Sequence, residues 1–152
     1  MLKRKSSLNF ADVAVAKRKI KNQFLIKIDQ LIDWKLIEDR INKKYSRGNR
    51  FDGRPAYPGL ILFKMCLLEE WFNIYHNKID FYVNDSISFT HFLGLSLDDE
   101  VPSHSTVSRF RIELHKKGLY SQLLEQVNQQ IDSKNLRVRS GILKQAVILH
   151  NK

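Results

Sequence analysis

The stretch from Leu60 to Phe72 constrains this chain more than any other. Leu60, Ile61, Leu62, Phe63, Met65, Cys66, Leu67, Leu68, Trp71 and Phe72 are apolar, and at about 3.6 residues per turn they cover most of the circumference of a helix. A helix that is apolar on nearly every side must be enclosed by other elements, so it marks the central core element of a helical fold. Pro58 suits its first turn, where a missing amide costs nothing. Lys64, Glu69 and Glu70 interrupt the run, and it is too short to span a bilayer.

The elements needed to enclose it are visible on both sides. Ile20, Phe24, Leu25, Ile28, Leu31 and Ile32 fall mostly at spacings of three and four, which predicts an amphipathic helix over 17–33. Trp34, Ile37, Ile41 and Tyr45 repeat the pattern as a second helix. The breaker-rich stretch from Ser46 to Pro55 reads as a loop. After the central helix come a short helix over 77–83 and another that carries Ile87, Phe89, Phe92 and Leu93. The latter is capped by Asp85 or Ser86 and ends at Gly94 in a left-handed conformation. An acidic loop from Ser96 to Glu100 leads to a helix beginning near Ser103 or Ser105, with Val107, Phe110 and Leu114 inward, and a last long helix covers 119–131. A basic linker then precedes GILKQAVIL, the first convincing strand-like run. The expected fold is all-α, a compact multi-helix domain with a helix-turn-helix-like segment, plus a short C-terminal β-strand. Its parts are a basic arm over 1–16, a helical domain over 17–135, and a linker with the strand over 136–152.

Composition narrows the function. The 152 residues carry a formal net charge of +10, and the charge is segregated: 14 Lys/Arg against 5 Asp/Glu in 1–50, 3 against 8 in 51–100, and 9 against 3 in 101–152. Basic ends flanking an acidic, apolar middle suit a polyanionic partner met by the ends while the middle packs. The partner expected is double-stranded DNA; a membrane or a small-molecule substrate is not expected. The single cysteine, Cys66, excludes both a disulfide framework and a cysteine zinc site. The five histidines form no metal-ligand pattern with carboxylates, and no phosphate loop or nucleophile elbow is present. The N-terminus lacks the apolar core of a signal peptide, and the reading is a cytoplasmic, nucleoid-associated protein.

On the helix after Ser103, Ser105, Ser108, Arg109, Arg111 and Lys116 are expected to face outward. Hydroxyls and guanidinium groups on a short capped helix are what a major-groove reader needs, with serine hydroxyls and free helix amides on phosphate. The helix over 87–93 would be its supporting partner. The same residues fit a plain solvated face, and their types alone do not separate the two. Lys17, Arg18, Lys19, Lys21 and Arg54 are expected to add contacts to DNA.

Several short motifs occur together and in order: Leu8-Asn9-Phe10-Ala11-Asp12, Gly53-Arg54-Pro55-Ala56-Tyr57-Pro58, Glu70-Trp71-Phe72-Asn73, Asp85-Ser86-Ile87-Ser88-Phe89, Phe92-Leu93-Gly94-Leu95 and Val101-Pro102-Ser103-His104-Ser105-Thr106. In order and spacing they resemble the bacterial transposases of the insertion-sequence-five family, from about Leu8 to Leu149. The resemblance implies a helical N-terminal domain that binds terminal inverted repeats and helps assemble the transposase. It also implies a following ribonuclease-H-like domain of the Asp-Asp-Glu type, in which two divalent metals, Mg2+ in intact members, act between carboxylates. GILKQAVIL then resembles the first strand of that domain. Alignment on Gly141 and Ala146 places Gln145 where the first catalytic Asp would stand, and a neutral carboxamide is a poor bridging ligand. Asp132 is the last acidic residue in the sequence. The expectation is a truncated, non-catalytic DNA-binding module with no cofactor in this chain, able to form a homo-oligomer or to pair with full-length transposase. Two alternatives are the first frame of a two-part active transposase and an interaction protein that inhibits the intact enzyme.

Overall fold

The computed structural model describes residues 22–45, 57–139 and 147–150. Among them are seven α-helices, one 3-10 turn and two short strands. The helices are α1 (Gln23–Leu31), α2 (Trp34–Lys44), α3 (Gly59–Phe72), α4 (Ile79–Asp85), α5 (Ile87–Leu93), α6 (His104–Lys116) and α7 (Leu119–Asp132). The 3-10 turn (His76–Lys78) runs directly into α4, and the strands are β1 (Leu136–Arg139) and β2 (Val147–His150).

Helix α3 is the axis of the fold, as its all-round apolarity predicts. Twelve of its fourteen residues are buried, Lys64 and Glu69 among them. Helices α2, α5 and α6 pack directly on it, and α7 lies against α2 and α6. Rings close much of the space between the layers. Phe24 meets Trp71 and Phe72 edge-on, Tyr45 meets Phe110, and Phe63 meets Tyr120. Such edge-to-face pairs add about 0.5–1.5 kcal/mol each beyond the area they bury. At the start of α3 the chains approach so closely that a Cβ on Gly59 would stand 2.5 Å from Ile41 Cγ2 and 3.2 Å from Tyr45 Cδ1. Only glycine fits where α2 crosses α3.

Short polar side chains set the helix starts. Asn22, Asp33, Ser86 and Ser103 each accept from an amide of the first turn, at Leu25, Leu36, Phe89 and Thr106. Gly94 ends α5 with a left-handed φ of 75°, as expected from the sequence, and Asn73 ends α3 in the same way at 52°. Pro58 stands one position before the first helical residue of α3.

Two expectations need correction. First, the basic linker after α7 contains a strand: β1 pairs antiparallel with β2, from Leu136 opposite His150 to Arg139 opposite Val147. The C-terminal strand therefore has a partner, and that partner precedes it. Leu136 and Val138 pack against the helical core while β1 rests on α7, so the alternation Leu-Arg-Val-Arg is that of a half-buried strand. Second, α5 does not serve as the main support of α6. Helix α5 lies chiefly on α1, α3 and α4, whereas α6 packs on α3, α7 and the 3-10 turn. The intervening loop carries α6 around to another face of α3. No helix among the described residues is long and apolar enough to cross a membrane.

Candidate nucleic-acid interface

Helix α6 is fixed at its start by two side chains. The Ser103 hydroxyl accepts from the Thr106 amide at 3.2 Å. The Asp80 carboxylate, arriving from α4, accepts from the His104 amide at 3.0 Å and pairs with His104 Nδ1 at 2.9 Å. Burial pushes the Asp80 carboxyl up, but the His104 amide and ring and the Phe81 amide together hold it below its ordinary value. The first-turn amides at 104 and 106 thus already have acceptors within the chain. Those two amides are therefore not free to bind phosphate, as free helix amides were expected to.

Val107, Phe110 and Leu114 are buried against the core. On the opposite side the exposed positions Ser105, Arg109, Ile112 and Lys116 follow one another at spacings of four, three and four, with the half-buried Ser108 beside them. This outward stripe carries two cations and no carboxylate. Glu113 lies to one side and is paired with Lys117 at 3.0 Å. Arg109 leans back toward Thr106, with Nη2 3.4 Å from its hydroxyl, a contact at the long limit of hydrogen bonding that leaves the guanidinium largely free.

Arg111 was expected in this stripe, and the structure turns it inward. Its guanidinium pairs with Glu69 Oε2, and Nη1 lies 3.1 Å from His76 Nδ1. His76 Nδ1 is in turn 2.7 Å from the same carboxylate oxygen. The reason is the position of Arg111 at the edge of the buried stripe, next to the 3-10 turn and across from α3, where a buried carboxylate requires a partner. Burial raises the Glu69 carboxyl above its ordinary value, and His76 and Arg111 only partly oppose it. Burial likewise pushes the neighbouring Cys66 thiol and Tyr120 phenol up to about 12 each, so neither ionises near neutral pH. The cluster is a structural tie between α3, α6, α7 and the 3-10 turn. Ile112 takes the place in the stripe that Arg111 vacates. The sequence carries the signal, since Ile112 sits opposite Val107, Phe110 and Leu114 on a regular helix.

The charge is distributed unevenly between the helical body and the rest of the chain. The described residues carry 14 Lys/Arg and 14 Asp/Glu, while 1–21, 46–56, 140–146 and 151–152 carry 12 Lys/Arg and 2 Asp/Glu. All of the formal +10 therefore belongs to the latter segments. Lys17, Arg18, Lys19, Lys21, Arg54 and Gln145 lie there, outside the described residues, as does the expected loop over 46–55. Among the described residues no group of three or more His, Cys, Asp or Glu is placed to hold a metal ion.

No solved structure matches the chain. A family model described as transposase domain (DUF772) matches residues 13–113, a span that reaches from before α1 into α6 and takes in Ser105, Ser108 and Arg109. The match covers well over half of the 152 residues, and the chain belongs to this transposase domain family.

Proposed function

We propose that this chain is a DNA-binding and assembly module of an insertion-sequence transposase. In this reading it recognises the terminal inverted repeats with the outward face of α6, while the basic segments neutralise phosphates. Family membership supports a role in transposition. The observation that carries the DNA reading is the Ser105–Arg109–Lys116 stripe, free of carboxylates on a helix whose other faces are engaged by the core and by Asp80 and Glu69. Arg109 can bridge the edge of a guanine, and Ser105 and Lys116 can bind flanking phosphates. The module does not itself perform the chemistry. Supporting this, Gln145 stands where the family resemblance puts the first catalytic Asp, and a carboxamide cannot bridge two metal ions as a carboxylate does.

Titration of the full chain against a duplex bearing the element's terminal inverted repeat, and against a scrambled duplex, tests this at near-physiological salt. A preference of about a thousandfold is the lower end for a specific reader, and Arg109→Ala should remove about tenfold or more of it. Equal affinity for both duplexes would sink the site-specific reading. With Mg2+ added, the repeat duplex should stay intact; a cleaved or joined product would overturn the non-catalytic part.

A further inference from the structure

We propose that Ile112 reads the C5-methyl group of a thymine in the DNA site, an inference that rests on α6 being the major-groove helix. Ile112 is 54% exposed and is the one large apolar side chain exposed on α6. It stands opposite Val107, Phe110 and Leu114, at the centre of the outward face. Arg109 precedes it by three positions and Lys116 follows by four. No intrinsic helical preference explains a β-branched residue there, where alanine, lysine or glutamine would suit an exposed helix better. A lone exposed aliphatic is common on protein surfaces; this one occupies the point of the helix that would lie deepest in a groove. The major groove presents hydrogen-bonding edges together with one apolar feature, the thymine methyl. An isoleucine flanked by a guanidinium and an ammonium matches that pattern, since the cations can take phosphates and a purine edge while the branched chain covers the methyl. It also tells thymine from cytosine, which presents no methyl at that place.

The test begins with duplexes selected from a random pool by binding to the full chain. Each thymine of the selected site is then replaced singly by deoxyuridine, which removes only the methyl. At one or two positions the wild-type chain should lose about fourfold in affinity, the worth of one methyl taken out of water. Ile112→Ala, which keeps the fold because the side chain is exposed, should bind the thymine and uracil duplexes equally at those positions. Lys116→Ala serves as the contrast: it should weaken both duplexes alike and keep the difference between them. A site whose thymines can all be replaced without loss overturns the inference, as does a thymine–uracil difference that persists in Ile112→Ala. Both results leave α6 standing as a DNA reader. A pool that enriches no sequence overturns that reading, and the present inference with it.

Discussion

Lys64 and Glu69 stand little more than one turn apart on α3, and both are enclosed, at 8% and 5% exposure. Their surroundings differ in kind. The Lys64 ammonium donates to the Phe92 carbonyl at 2.9 Å, lies 3.7 Å from Asp29, and faces the rings of Trp34 and Phe92 at 4.4 and 4.7 Å. Asp29 is itself held by the Trp34 indole N–H at 3.0 Å. A carboxylate from α1 at the long end of ion pairing, a ring from α2, and a ring and a carbonyl from α5 thus share one cation. At Glu69 the partners converge on a single oxygen: Oε2 takes both Arg111 and His76, while Oε1 is buried with no partner. A charge held by many weak partners tolerates the loss of one. A charge whose partners converge on one oxygen does not, because removing the guanidinium strands the carboxylate in a dry place.

The contrast can be broken most directly at Glu69. Arg111→Met leaves the Glu69 carboxylate enclosed with His76 alone for a partner and should lower unfolding free energy at neutral pH by about 3 kcal/mol, the low end for removing one member of a buried pair. Replacing both partners, as Glu69→Leu with Arg111→Met, should recover most of that loss in urea denaturation; failure to recover would mean that the pair matters for more than charge compensation. Lys64→Met keeps the stem between Trp34 and Phe92 and forfeits one hydrogen bond and a diffuse attraction, so about 1 kcal/mol is expected. If the two single variants proved equally costly, the distinction between spread and concentrated partners would be wrong.

A gentler test uses pH. The folded chain holds the Glu69 proton to higher pH than the unfolded chain, whose value is near 4.5. Stability from this group is therefore fullest below 4.5 and declines as pH rises from there through the raised folded value. Asp80 has the opposite sign: its contribution is present above 3.8 and is lost as pH falls through its depressed folded value. Denaturation midpoints of wild type and Glu69→Gln, compared between about pH 4 and 7, should differ in slope, the variant lacking the decline. Parallel slopes would assign the pH dependence to another group.

Those buried charges also mark how far the sequence could be read. Helix positions follow from local periodicity, which is why α2, α3, α5 and α7 stand within a residue or two of where the apolar spacing puts them. The caps at Ser86 and Ser103 and the turn at Gly94 were legible for the same reason, since each depends on residues within one turn. The Arg111–Glu69 pair spans 42 positions in sequence. Its existence depends on how α6 rotates against α3, and nothing in either segment alone fixes that rotation. Asp80 capping α6 from 24 positions away was hidden likewise. By contrast β1 was within reach: Leu136-Arg137-Val138-Arg139 alternates with period two, but its charge drew it toward a linker. In the candidate interface, Ser105, Arg109, Ile112 and Lys116 follow from the wheel, whereas the inward turn of Arg111 needed the packing.

The neutrality of the helical body bears on solubility and assembly. At neutral pH its fourteen acidic and fourteen basic side chains cancel, so mutual repulsion between copies of the chain comes from the basic segments outside it. A protein stripped of net charge loses the colloidal barrier to association. In the proposed reading, phosphates that neutralise those segments would strip it in the same way, leaving neighbouring copies along a duplex to meet through surfaces of no net charge. Occupancy of DNA and self-association would then be coupled through electrostatics.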